Sequence, residues 1–260
     1  MGFGDDILAV GQAINAGARE TGIVIGRNWE KPHRSVVYEG LDWVNPPGGA
    51  PKLLRDYPGH RGYIDYAKST AKRQVLLEDY RAERGQVVAT KALEYSMMQL
   101  PRPESLVFVA LHTDVKRTYS GENRLWPEQY WLELARRLLE RGFNVLQVDP
   151  AWVRLELPGV ARVPPTDRLS DVFGVIEDMD LVVTSEGLFH HAAAALKTDA
   201  VVLWGGRLNP EILGYEGHAN LTAREEWCGS WAPCDHCTQA MLDITPDRVF
   251  DAVMGRLDSN

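Results

Sequence analysis

The chain lacks any apolar run long enough to span a bilayer, and no basic stretch leads into an apolar segment at its start. These absences speak against a membrane-spanning helix and a secretory leader, and the expectation is a cytoplasmic protein. Cysteine is scarce: three in 260 residues, an odd number, all between Cys228 and Cys237. That excludes a disulfide framework. No G-x-G-x-x-G follows an apolar run with an acid about 20 residues on, which disfavours a dinucleotide-dependent dehydrogenase. Excess positive charge is also missing, since the net charge is -8. Base is concentrated instead: residues 31–73 carry eight Lys and Arg against four acids, with Trp43, Tyr63 and Tyr66 interleaved. A solvated face with a few ion pairs is the first reading of such a run, and a platform for an anionic acceptor is the sharper one.

What is present is alternation. The stretch LVVTSEGLFHHAAAALKTDAVVLWGG, residues 181–206, reads as strand, helix, strand. Ser185, Glu186, Gly187 and Leu188 lead into the helix start, where N–H groups and the positive dipole end favour a phosphate. Gly205 and Gly206 close the second strand and allow close approach of a ligand. Upstream, residues 106–111 and 143–148 read as strands, 126–141 as a helix entered through Pro127 and stopped by Gly142, and 169–178 as another helix. Residues 247–257 read as a last helix. Alternating strands and helices predict a doubly wound parallel sheet with ligands at the carboxyl ends of its strands.

The first hundred residues are less regular. A helix follows Gly4-Asp5-Asp6 and stops near Gly17, extended runs are expected at 22–26, 35–39, 63–66 and 86–90, and a helix at 71–83. Two prolines mark 97–103 as a linker. The expected domains are 1–100 and 101–260.

Three separated patterns then coincide: Gly2-Phe3-Gly4-Asp5 entering a helix, the run from Arg124-Leu125-Trp126-Pro127-Glu128 through Tyr130-Trp131 to Glu133-Leu134, and Ser185-Glu186-Gly187-Leu188-Phe189-His190 followed by small residues and Trp204-Gly205. Together with the ending from Cys234 and Cys237 through Met241 to Val249, they resemble glycosyltransferase family nine, the ADP-heptose:lipopolysaccharide heptosyltransferase group. The resemblance implies an α/β GT-B-like fold, two Rossmann-like domains with parallel sheets facing a cleft. The family's strand before the GxGD-type turn has no counterpart here, so the N-terminal domain is expected to be reduced.

The resemblance further implies inverting, metal-independent transfer from a nucleotide sugar, an ADP- or UDP-sugar, with no cofactor required. Asp5 takes the catalytic position at the acceptor, with helix capping as the alternative role. Arg124 takes the cation position on the donor diphosphate. The backbone of Ser185, Glu186 and Gly187 takes the diphosphate loop, read Ser-Glu-Gly where the heptosyltransferases have Asp-Thr-Gly. His190, Thr113 and Lys116 are further expected donor contacts, and Asp6, Arg61 and Tyr63 expected acceptor contacts. The acceptor is expected to be a glycan core or a modified DNA base. The alternative is a non-catalytic nucleotide-sugar-binding module. Cys228, Cys234, Cys237 and His236 resemble a zinc knuckle, but C-x5-C-x2-C is no recognised finger, and no metal is the expectation.

Overall fold

The computed structural model describes residues 3–15, 17–27, 31–32, 34–35, 38, 41–48, 50 and 52–53, and then 108–113, 119–149, 153, 155–163 and 169–258. The expected elements at 63–66, 71–83 and 86–90 and the linker at 97–103 lie outside the described residues. The chain divides into two compact units, Met1–Val87 and Val88–Asn260.

In the first unit, helix α1 (Phe3–Asn15) buries Ile7, Val10 and Ala13 at helical spacing, with Asp5 and Asp6 in its first turn where a carboxylate suits the positive helix end. Gly17, at φ 74°, ends it and admits the one-turn helix α2 (Ala18–Thr21). Strand β1 (Val24–Arg27) pairs antiparallel with β2 (Lys31–Pro32) and parallel with β3 (Lys52–Leu53). The sheet here is therefore mixed rather than purely parallel as expected, because three residues between β1 and β2 allow only a tight return. The strand expected at 35–39 is also corrected. Tyr38 donates its amide to the Ser35 carbonyl at 3.0 Å, and both side chains donate to the buried carboxylate of Asp6, at 2.7 Å from Ser35 and 3.1 Å from Tyr38. A carboxylate with two donors turns the chain back toward α1 in place of a strand.

The second unit is the doubly wound sheet the sequence predicts. Its strands are β4 (Phe108–His112), β5 (Asn144–Gln147), β6 (Ala161–Arg162), β7 (Leu181–Ser185), β8 (Asp199–Trp204) and β9 (Ala219–Thr222), all parallel, in the order β6-β5-β4-β7-β8-β9. Strand β4 lies between β5 and β7, so the order reverses there, and the switch point opens a crevice at the carboxyl ends of β4 and β7. Helix α3 (Glu128–Glu140) starts after Pro127 and turns out through Gly142 at φ 84°. It buries Trp131, Leu134, Ala135 and Leu138 against Val249 and Val253 of the closing helix α8 (Pro246–Leu257). Helix α4 (Leu169–Glu177), helix α5 (Leu188–Leu196), the single turn α6 (Pro210–Leu213) and helix α7 (Asp235–Asp243) complete the unit. β6, β9, α6 and α7 went unpredicted. Among the described residues, no helix is long and apolar enough to cross a membrane.

His218 is buried beyond the end of α6, and burial first, then the Arg256 charge, lowers its pKa to about 4 against the opposing pull of Asp199 and the Thr198 backbone. The unfolded imidazole takes its proton near pH 6.5, before the folded one does, so stability falls as pH drops from about 6.5 toward 4. A slope of about 1 kcal/mol per pH unit is expected for this group. Denaturant unfolding of His218→Gln and the parent at pH 7, 6 and 5 measures it: the two curves should converge as pH falls, and a constant gap would refute the assignment.

Candidate functional site

The site forms where β7 hands over to α5. Ser185, Glu186 and Gly187 make the turn, and Gly187 holds φ 155° and ψ -150°, a backbone region essentially restricted to glycine. The turn is fastened from both sides. The Glu186 amide donates to the Leu203 carbonyl of β8 at 3.1 Å, and the Gly187 amide donates to Nδ1 of His190 at 2.8 Å. These two amides are thus spent inside the protein, a correction to the expectation that they face a diphosphate. The later N–H groups of the first turn of α5 point out of the helix start, as in every α-helix.

Arg124 arrives from the other side of the switch point. It ends a 3-10 helix, Tyr119–Arg124, in the connection between β4 and α3. Its Nη1 donates to the Glu186 carbonyl at 2.8 Å and its Nε lies 3.4 Å from the Glu186 carboxylate. Ser185 Oγ returns the contact by donating to the Arg124 carbonyl at 2.8 Å. A Cβ on residue 187 would sit 3.3 Å from Arg124 Nη1, so the glycine serves the guanidinium as well as the turn. Two expectations separated by sixty residues of sequence are here one structure: a planar cation laid on the mouth of a helix start. Such a pair suits an anion with several oxygens, because a guanidinium offers a fork of donors and the helix start adds partial positive charge.

The surrounding residues divide into those that hold this turn and those engaged elsewhere. His190 is buried, tilted against His191 with ring centroids 3.8 Å apart and edge-on to Trp204 at 5.3 Å, and its ring caps the turn through Gly187. His191 shares a 2.8 Å hydrogen bond with the Tyr215 hydroxyl, whose pKa burial pushes up. Thr113, at the end of β4, donates its hydroxyl at 2.6 Å and its amide at 2.8 Å to Asp149, which also accepts from Gln147 at 2.7 Å. Its donors are therefore committed to a neighbouring carboxylate rather than directed outward. Gly205 and Gly206 face protein: a Cβ on Gly205 would strike the Asn123 carbonyl, and one on Gly206 the His236 ring. Asn123 itself, fully buried, is the functional neighbour the sequence reading missed; nothing in its local pattern marks it apart from its place before Arg124.

Cys228, Cys237 and His236 are brought together where the loop from Cys228 enters α7, with the Cys234 sulfur 3.8 Å from that of Cys228 and all three thiols free. Asp5 lies half-buried in the first turn of α1, one residue before the buried Asp6. Lys116, Arg61 and Tyr63 lie outside the described residues.

A doubly wound parallel sheet with a glycine turn and a cation at its switch point places this chain among the Rossmann-like α/β folds. Glycosyltransferase family 9 (heptosyltransferase) matches residues 52–240, and the chain belongs to that family. Lipopolysaccharide heptosyltransferase 1 of Pseudomonas aeruginosa is 30% identical over 128 residues, 46% of this chain and 34% of that protein, so the chain spans about a third of the curated relative it matches. Among solved structures, the dodecameric iron-containing heptosyltransferase TibC of enterotoxigenic E. coli, in complex with ADP-D-beta-D-heptose, aligns with TM-score 0.54 at 15% identity over 83% of this chain and 63% of its own. A family 9 glycosyltransferase from Veillonella parvula aligns with TM-score 0.52 at 14% identity over 98% of this chain and 78% of its own. At these identities the two structures speak for the fold.

Gly187→Ala should destabilise the protein by about 1–3 kcal/mol, because the backbone there is strained for any side chain and the methyl presses on Arg124. Chemical unfolding checks this, and an unchanged midpoint would show that the turn relaxes freely.

Proposed function

We propose that this protein transfers a glycosyl unit from a nucleotide diphosphate sugar to an acceptor hydroxyl. The observation that carries the reading is the guanidinium of Arg124 laid across the Ser185-Glu186-Gly187 turn at the helix start, a ready seat for a diphosphate. TibC's complex with ADP-D-beta-D-heptose favours an ADP-heptose-like donor, and the Pseudomonas relative's name favours a lipopolysaccharide-type glycan acceptor. The basic residues between Lys31 and Arg73 suit phosphate groups on such a core. No observation favours modified DNA.

In this reading the two halves are the Rossmann-like domains of a GT-B enzyme, residues 1–100 on the acceptor side and 101–260 on the donor side. The Asp5 carboxylate takes the proton of the acceptor hydroxyl, whose oxygen attacks the anomeric carbon on the face opposite the diphosphate. The bond from that carbon to the phosphate oxygen breaks, the configuration inverts, and the nucleoside diphosphate leaves with the electron pair. Its growing charge is met by the Arg124 fork and the start of α5, so the leaving group requires no metal. Asp6, tied to Ser35 and Tyr38, holds the first turn of α1 in place beside Asp5.

Two substitutions test the reading on separate quantities. Arg124→Ala removes charged hydrogen bonds of about 1.5–3 kcal/mol, so ADP binding by calorimetry should weaken roughly 10- to 150-fold. Asp5→Asn should leave that affinity unchanged and lower turnover of ADP-heptose by at least about 100-fold. ADP binding with no turnover in the parent, unaffected by Asp5→Asn, would identify a non-catalytic nucleotide-sugar-binding module instead.

A further inference from the structure

Ten residues of sequence bring two thiols and an imidazole, those of Cys228, Cys237 and His236, within 4.8 Å of one another, and the thiol of Cys234 adjoins them through Cys228. Cys228 Sγ lies 3.8 Å from Cys234 Sγ and 3.3 Å from Cys237 Sγ, and one ring nitrogen of His236 falls within 4.8 Å of the sulfurs of Cys228 and Cys237. The edge of a tetrahedron of sulfurs around zinc is about 3.8 Å, from a metal–sulfur distance of about 2.3 Å. A disulfide would need about 2.05 Å. His236 Nδ1 is buried and has no hydrogen-bond partner among the described residues. Gly206 backs directly onto that ring, leaving no room for a side chain between the end of β8 and the imidazole.

We propose that Cys228, Cys234, Cys237 and His236 bind one tetrahedral zinc-class ion, and that this ion is the clamp that sets Arg124. Three thiolates and one nitrogen form a soft set that selects zinc or ferrous iron over magnesium or calcium. Coordination releases the thiol protons to solvent and leaves the metal's oxidation state unchanged. With all four positions filled by protein, the site is structural in type.

The clamp runs through Asn123. The loop between Cys228 and Cys234 is closed at both ends by ligands, and the Asn123 side chain fills its middle. Asn123 Nδ2 donates to the carbonyls of Ala232 at 2.8 Å and Ser230 at 3.3 Å, and its Oδ1 accepts from the Cys234 amide at 3.0 Å. The loop is also pinned to the end of β8, where Cys228 donates its amide to Gly206 at 2.9 Å and Gly229 to Arg207 at 3.1 Å. Arg124 follows Asn123 directly. A metal that fixes the loop therefore fixes the residue from which the guanidinium departs; this second half rests on the donor role given to Arg124, and the first half does not.

Metal analysis of the full chain purified under reducing conditions, without chelator, should give one equivalent of zinc or ferrous iron. Cys228→Ser and Cys234→Ser, both outside the core, should lose it with helix content by circular dichroism retained. Cobalt added to the stripped protein should give the intense visible absorption of a tetrahedral thiolate complex. Gly206→Ala, which pushes on His236 without removing a ligand, should weaken zinc binding about 10- to 100-fold, the usual cost of disturbing a metal's supporting shell. Protein without metal, with no cobalt spectrum and with Cys228 and Cys237 joined in a disulfide after reduction and air exposure, would overturn the site. ADP affinity measured with and without zinc then tests the clamp: a gain of roughly 5- to 150-fold is expected for ordinary coupling. Zinc bound with no change in ADP affinity overturns the clamp alone, whereas no ADP binding in either state counts against the donor reading and leaves the metal centre standing.

Discussion

The second unit depends on a reciprocal pair of hydrogen bonds: Arg124 gives one to the Glu186 carbonyl and receives one from Ser185 at its own carbonyl. The neutral bond from Ser185 contributes about 1 kcal/mol net and the charged bond from Arg124 about 1.5–3 kcal/mol. Their value is geometric, since they join the loop after β4 to the turn after β7 across the place where the strand order reverses. The guanidinium cannot move without the turn, and the turn cannot relax without losing a glycine-only backbone conformation.

Around that pair, the polar interior is spent on supports. His190 holds the Gly187 amide, Leu203 holds the Glu186 amide, and Asn123, the residue before Arg124, is anchored to the cysteine loop. The Glu186 carboxylate lies 3.4 Å from the Arg124 Nε and offsets the charge of the guanidinium.

Much of the second unit could be read from sequence because its strands are continuous apolar runs buried on both faces, as parallel strands are. The runs at 181–185 and 199–204 and the helix after Pro127 fall within a residue or two of where their patterns place them. β9, with the sequence Ala-Asn-Leu-Thr, offers no such run, and α7 begins among cysteines that resemble a zinc knuckle. Arg124 and the Gly187 turn, which the structure brings together, were legible in the sequence, while the scaffolding around them was not. Asn123, Asp149 and Tyr215 act through partners between 24 and 111 residues away along the chain, and no local spacing announces such contacts. In the first unit, the turn at Ser35 and Tyr38 was hidden for the same reason, because the carboxylate that bends it belongs to α1.

The helix that follows Arg124 is tied to the far end of the chain. The Trp126 indole donates to the Ile244 carbonyl at 2.6 Å, the Tyr130 hydroxyl to Leu242 at 3.3 Å, and Arg137 pairs with Asp247 at 2.6 Å. During synthesis, the ribosome must therefore release residues beyond 247 before α3 can find its seat. Until then the Trp126 and Trp131 rings lack the cover of Ile244, Val249 and Val253, and exposed apolar surface of this kind is prone to aggregate.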